Sequence, residues 1–236
     1  MGLKTLLGIK KRRWQKEIRR FVVEMRGQFP NYDWDGFEKL AQYFWRKEMS
    51  LIPERAFLFR LARDLPSNAK VVEIGSWIGE SACYLASGLK GDHPCLYAVD
   101  TFTGDSDIPN DRKVFASLMA QWKVSNTKEL FDQNIAHFGL SSRVRAIADD
   151  SIVAARKFSE PLQSIDLLFI DGAHSEKSTQ GALDAWFPFV KSGGIVLFHD
   201  FSSLFGVPQV VWRAVKQNRF SELVGVYWTL LALRKV

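Results

Sequence analysis

Four side chains able to move a proton or hold a cation fall in two short stretches late in the chain. Asp171 and His174 stand in D-G-A-H, and His199 and Asp200 stand in H-D. The chain has only 4 histidines, so two of them beside aspartates form a pattern that asks for a cause. An imidazole with an ordinary pKa near ~6.5 exchanges a proton at neutral pH, and carboxylates hold hard cations or orient an imidazole. General acid–base catalysis or a divalent-cation site is the chemistry such residues support. A histidine near a turn also commonly does no more than cap a helix. The three-residue spacing from Asp171 favours the catalytic role for His174.

An earlier stretch, V-V-E-I-G-S-W-I-G-E-S from Val71 to Ser81, suggests binding rather than proton transfer. Gly75 and Gly79 bracket a tight turn, where glycine permits strained dihedrals and close approach of a ligand. The N–H groups that open the next helix then face a carboxylate or phosphate. Asp100, more than 20 residues on, can accept hydrogen bonds from both hydroxyls of a ribose. Its bland alternative is a turn cap. Such an arrangement suits a nucleotide-like cofactor.

The elements that must position these residues read as strands alternating with helices. Val71, Val72 and Ile74 end a buried strand, and a helix follows from Gly79 to about Leu89. Cys95–Val99 delivers Asp100-Thr101-Phe102, and Arg143–Ala148 delivers Asp149-Asp150-Ser151, where Asp and Ser also suit a helix N-cap. Ile165–Ile170 delivers Asp171. A helix over 176–189 and a turn at Lys191-Ser192-Gly193-Gly194 lead to Ile195–Phe198, which delivers His199. Val210 to Val215 suit a helix, and Leu223–Val226 with Trp228–Leu233 suit an antiparallel closing pair. Ligands of open α/β sheets bind at the carboxyl ends of the strands, where every acid above falls. Residues 103–138 are longer than a minimal connection and suit a lid with two helical patterns. Before the first strand, Phe37, Leu40, Ala41, Phe44 and Trp45 make one apolar helix face. Ala56, Phe57, Phe59, Leu61 and Ala62 make another.

The ordered set E-I-G-S-x-x-G-x-S, D-T-F, I-D-L-L-F-I-D-G-A-H and F-V-K-S-G-G-I-V-L-F-H-D resembles the class I S-adenosylmethionine-dependent methyltransferases. It is most similar to the catechol-type and the sugar and antibiotic O-methyltransferases, over about residues 70–200. The resemblance implies a Rossmann-like, mostly parallel sheet of seven strands whose last strand is antiparallel, with helices on both faces. It divides the chain into an N-terminal helical extension and cap, residues 1–66, and a cofactor-binding domain, residues 67–236. It implies S-adenosylmethionine contacts from Glu73, Gly75, Ser76, Trp77, Gly79, Ser81, Asp100, Thr101, Phe102, Asp150, Ser151 and Asp171. It makes His174 the general base and Asp171, His199 and Asp200 the ligands of a divalent cation, magnesium or manganese. His199 departs from the family's usual carboxylate and better suits a softer ion than magnesium. A metal-free site with His199 as a structural group or second base stays open beside it.

The resemblance implies O-methylation of a small hydroxylated acceptor, a sugar or a natural product. Two other classes remain. A nicotinamide-dependent oxidoreductase shares the turn and the ribose acid, but its fingerprint needs a second glycine where Trp77 stands. A non-catalytic nucleotide-binding protein shares the fold alone.

Composition narrows the partners. Of 236 residues, 47% are hydrophobic and 25% charged, which suits one α/β domain with an extension. Residues 1–20 hold eight basic residues against Glu17, a local +7; the chain as a whole is +6, so residues 21–236 sum to −1. A body so nearly neutral is a poor match for nucleic acid. Leu3, Leu6, Leu7, Trp14, Ile18, Phe21, Val22 and Met25 recur at helical spacing. Residues 1–25 thus suit a basic helix docked on its own domain or on a second copy of the chain. Contact with an anionic membrane surface is the sharper alternative. Cys83 and Cys95 suit buried free thiols in a reducing cytoplasm. A secretory leader and a myristoylation signal are not expected, the latter because Leu6 replaces Ser or Thr.

Overall fold

The structure is a computed structural model that describes residues 3–44, 51–92, 95–161, 163–202 and 206–236, with side chains from residue 13 onward. The expected roles of Trp45 and of the side chains of Leu3, Leu6 and Leu7 lie outside the described residues. Three helices come first: α1 (Leu3–Gln28), α2 (Trp34–Tyr43) and α3 (Ile52–Asp64). The alternating body follows, with β1 (Val71–Ile74), α4 (Glu80–Gly88) and β2 (Leu96–Asp100). Helices α5 (Pro109–Trp122) and α6 (Lys128–His137) fill the long connection to β3 (Val144–Ala148). Then come α7 (Ser151–Lys157), β4 (Ile165–Ile170), α8 (Glu176–Trp186) and β5 (Val190–Phe198). The chain closes with α9 (Val207–Lys216), β6 (Phe220–Tyr227) and β7 (Leu230–Lys235).

The seven strands form one sheet in the order β3-β2-β1-β4-β5-β7-β6. Pairings among β1 to β5 are parallel, and β7 is antiparallel to both its neighbours. This is the Rossmann-like methyltransferase fold that the motifs implied. Strand order reverses between β1 and β4, and a crevice opens at that switch point.

Alternation along the strands explains the two-sided packing, since successive side chains point to opposite faces. Leu167 and Phe169 of β4 join a core with α1 to α4, while Leu168 and Ile170 join a second core with α8 and α9. The N-terminal helices belong to the first of these cores. Ile18, Val22, Trp34, Phe37 and Phe59 cluster there with Tyr84 and Leu85 of α4. Helix α5 contrasts with them, because Met119 is its one buried residue.

Two boundaries differ from expectation. Lys191–Gly194 is not a turn before the strand but part of β5, carried in a bulge where the register jumps from Ile165↔Val190 to Leu167↔Ile195. Gly193, at φ 76°, supplies the left-handed residue such a bulge needs. Helix α8 stops at Trp186 and passes into a 3-10 turn at Phe187–Phe189, since Pro188 cannot donate the next helical hydrogen bond.

Candidate active site

The glycine turn is built as its sequence suggests. Gly75 has φ 85°, and a Cβ there would sit 2.1 Å from the Asp171 carbonyl oxygen. The absence of a side chain lets the ends of β1 and β4 touch, and the Asp171 N–H donates to Ile74 O at 2.8 Å. Gly79 is the N-cap of α4 at φ 83°, and a Cβ there would meet the Phe131 ring at 2.9 Å. Glycine at these two positions is a steric requirement.

Asp100 closes the turn from β2. Its Oδ2 accepts from the N–H groups of Ser76 and Trp77, both at 2.8 Å, and its Oδ1 accepts from Phe102 N–H at 2.6 Å. Burial raises the Asp100 pKa against the pull of those three donors. The carboxylate thus organises the backbone around the cavity mouth as well as facing the cavity. Glu73 lies beneath the turn, fully buried, with Ser76 Oγ donating to it at 2.7 Å. Burial pushes its pKa up to about 8, against hydrogen bonds from Ser81 and Ser76.

A cavity of about 560 Å³ opens where the strand order reverses. Of the residues implied as cofactor contacts, Gly75, Ser76, Trp77, Ser81, Asp100, Thr101, Asp150, Ser151 and Asp171 line it. Glu73, Gly79 and Phe102 do not. Glu73 and Gly79 shape the turn from below, and Phe102 packs edge-on against Phe131 in the core. Asp150 also caps α7, its Oδ1 accepting from Ile152 and Val153 N–H. The indole of Trp77 stands against Phe115 and Trp122, and its buried N–H finds no acceptor among the described residues.

The other half of the cavity gathers the histidines and aspartates. His199 Nδ1 lies 3.2 Å from Asp171 Oδ1 and 3.1 Å from Asp200 Oδ2. His174 Nε2 lies 2.9 Å from Asp200 Oδ2. Ligand atoms of Asp171, His174 and Asp200 all fall within 4.8 Å of one another. All four residues named from the sequence therefore meet. The grouping differs in detail, since His174 joins the two aspartates while His199 braces them from behind.

Burial opposes the charge on His199, but Asp171, Asp200 and Glu54 outweigh it and raise its pKa to about 11. His199 is thus an imidazolium at neutral pH, and a divalent cation using that nitrogen would have to displace its proton. Burial dominates at Asp171, whose pKa rises to about 6 despite both histidines. At Asp200 the hydrogen bonds from His174 and His199 overcome burial and hold the carboxyl well below the usual range. His174 is raised, because Asp200 and more distant acids outweigh its burial.

Three contributors carry no signature in the sequence motifs. Glu54 at the start of α3 is buried, accepts from Thr229 N–H at 2.9 Å and Thr229 Oγ at 2.6 Å, and sits 3.9 Å from His199 Nε2. Burial works against its charge, yet the bonds from His199, Thr229 and Leu51 hold its pKa at about 2. Asp111 of α5 lies 3.4 Å from His174 Nδ1, so the imidazole stands between Asp111 and Asp200. Asp107, just before α5, accepts from Ser178 Oγ at 2.8 Å and from Ser175 Oγ, fastening the long connection to the start of α8. A glutamate beside Arg55 in an apolar helix is the one visible signal for Glu54. Arg55 itself pairs with Glu80 of α4 at 2.7 Å, fully buried.

Residues 72–201, more than half of the chain, match a family model described as a methyltransferase domain. The chain belongs to that family, the class I S-adenosylmethionine-dependent methyltransferases that its motifs resemble. Solved structures share the fold at low identity. The O-methyltransferase NovP is 18% identical with a TM-score of 0.59, over 78% of this chain and 80% of that one. An O-methyltransferase from Bacillus cereus, solved with SAH, is 15% identical with a TM-score of 0.57, over 95% of this chain and 100% of that one. CalS11, a TDP-rhamnose 3′-O-methyltransferase of calicheamicin biosynthesis, is 18% identical with a TM-score of 0.55, over 93% of each chain.

Proposed function

We propose that the protein transfers the methyl group of S-adenosylmethionine to a hydroxyl oxygen of a small acceptor, a sugar or natural-product scaffold. The observation that carries this reading is the convergence of Asp171, His174 and Asp200 at the ends of β4 and β5, across one cavity from the Gly75 turn. The turn and Asp100 hold the cofactor, with the α4 N-terminus toward its carboxylate and Asp100 toward its ribose. Trp77 fills the place where a pyrophosphate would need room, which favours a sulfonium cofactor over a dinucleotide.

Methyl transfer is an in-line displacement: the acceptor oxygen bonds the methyl carbon as the carbon–sulfur bond breaks. Sulfur is already a good leaving group, so alignment and removal of the hydroxyl proton are what the protein supplies. His174 takes that proton, with Asp200 at 2.9 Å from Nε2 and Asp111 at 3.4 Å from Nδ1 to hold the ring and balance the imidazolium. Asp171 and Asp200 form an oxygen donor pair that fits a divalent cation such as manganese or magnesium, and His199 Nδ1, beside both carboxylates, would join them once its proton is displaced. When bound, such an ion would supply positive charge that lowers the pKa of the acceptor hydroxyl.

The test is a panel of hydroxylated small molecules incubated with methyl-labelled cofactor, with and without chelator. Label on oxygen is expected. Label only on nitrogen or carbon, or none on any hydroxylated compound, would overturn the reading; undiminished transfer in chelator would remove the ion.

A further inference from the structure

Helix α1 carries the whole of the protein's excess positive charge. Residues 1–20 sum to +7 and residues 21–236 to −1, so the excess belongs to one segment and not to the body. Two rows run along the helix. Ile18 and Val22, with Trp14, Phe21 and Met25 beside them, pack on the first core, and the Trp14 indole N–H donates to Ala41 O at 3.3 Å. The opposite row, Lys16, Arg19, Arg20 and Val23, is exposed, Val23 by 70%. Ile9 and Arg12 continue that row at helical spacing. The core thus holds one row in place and turns the basic row outward.

The helix also has a direction relative to the cavity. The Trp14 ring stands 5.9 Å from the guanidinium of Arg55, the residue after Glu54, and the Phe29 ring stands 3.3 Å from that of Arg60, further along α3. The two helices therefore run the same way. Glu54 lines the cavity, so α1 extends N-terminally from Trp14 toward the cavity end, for roughly 16 Å. Two exposed apolar side chains stand at that same end. Trp228, 65% exposed, occupies the β6–β7 turn, where Thr229 N–H donates to Glu54 Oε1 at 2.9 Å. Leu51, also exposed, donates its backbone N–H to Glu54 Oε2 at 2.8 Å.

We propose that α1, together with Trp228 and Leu51, attaches the cavity end of the protein to an anionic lipid surface. Lipid phosphates supply the counter-charge, and each Lys or Arg near such a surface adds about fivefold in affinity. Leu3, Leu6, Leu7 and Ile9 are interleaved with Lys4, Lys10 and Lys11, the composition of a helix that enters the boundary between headgroups and acyl chains. Tryptophan favours the same boundary, with its ring in the apolar part and its N–H toward water. Eight basic residues in this segment suit the surface of a bilayer and not its interior.

Charge and composition favour lipid over other partners. A second copy of the chain brings another +7 segment, and its body offers only −1 to meet it. A nucleic acid supplies phosphate, but nothing in its backbone rewards the leucines of the first turns or the exposed Val23. Arg13 with Glu17 at 3.0 Å and Arg19 with Glu38 at 3.5 Å are surface pairs, too weak in water to keep those guanidinium groups from a lipid phosphate.

The experiment sediments the full chain with vesicles of phosphatidylcholine alone or of an equal mixture with phosphatidylglycerol. Binding to the anionic vesicles should be at least about tenfold tighter than to the neutral ones, and high salt should release it. Lys10→Glu, Lys11→Glu and Lys16→Glu combined should weaken that binding at least about hundredfold, about fivefold for each cation removed. Melting temperature and S-adenosylmethionine affinity should stay as in wild type. Trp228→Ser should weaken binding severalfold on its own. Equal binding to both vesicles, binding to neither, or unchanged binding in the lysine variant would overturn the proposal. So would single-stranded RNA held more tightly than the anionic vesicles, or a dimer that the lysine variant abolishes. The salt series on wild type decides the matter of charge even where the variant fails to fold.

Discussion

The two halves of the cavity are assembled in different ways. The half to which the proposal assigns the cofactor is made of backbone and of residues close in sequence: Gly75 to Gly79 fold into the turn, and Asp100 ties it through the Ser76 and Trp77 N–H groups. The acceptor half is made of side chains from α3, α5, β4, β5 and the β6–β7 turn, held by bonds between residues such as Glu54 and Thr229, 175 positions apart. A cofactor common to many reactions can be held by local geometry that a short motif encodes. An acceptor peculiar to one enzyme is held by tertiary contacts with no local signature.

If the halves are separable, damage to one should spare the other. His174→Ala should lower turnover by the ~10²–10⁴-fold typical of a lost general base, with cofactor affinity unchanged in calorimetry. Loss of cofactor binding in that variant would merge the two halves. Asp111→Asn should act in the same half with a smaller effect, about tenfold on kcat. The raised His174 pKa means that activity climbs with pH through a value above 6.5, and removing the Asp111 charge should move that limb down. An unmoved limb would show that Asp111 does not act on His174.

Glu54→Gln should cost roughly 1–3 kcal/mol of stability, because a charged acceptor is lost among buried donors. The sign of its pH dependence follows from a depressed folded pKa of about 2 against an ordinary 4.5. The carboxylate's contribution is full above 4.5 and fades as pH falls toward 2, so wild type and variant should converge in denaturant melts at acid pH. A gap that persists at pH 2 would assign the loss to packing instead. Deleting residues 1–12 should have the smallest effect, leaving cofactor affinity within about twofold, since Ile18 and Val22 keep the rest of α1 in the core. A truncated chain unable to bind cofactor would place that segment in the site.

Much of this molecule is legible in its amino-acid sequence. The strands show as short apolar runs ending in Asp100, Asp171 and His199, and strand ends are where such folds bind ligands. The cofactor turn is legible because Gly75 and Gly79 answer local steric demands. Glu54 and Asp111 are not, since their meaning depends on which distant histidine they meet. The β5 bulge is hidden too, because Ser192-Gly193-Gly194 has the composition of a turn and only strand pairing distinguishes the two. His199 is visible as a residue, yet its imidazolium state comes from Glu54, Asp171 and Asp200 together.

The central claim is that the cavity at the Gly75 turn takes S-adenosylmethionine and that Asp100 organises it. Calorimetric titration of the full chain with S-adenosylmethionine and, separately, NAD tests this most directly, with Asp100→Ala alongside. The account predicts one S-adenosylmethionine site per chain, no NAD binding, and affinity weakened in the variant by roughly 1.5–3 kcal/mol, the cost of a lost charged hydrogen bond. Binding of NAD without S-adenosylmethionine, or equal S-adenosylmethionine affinity in the variant, would contradict it.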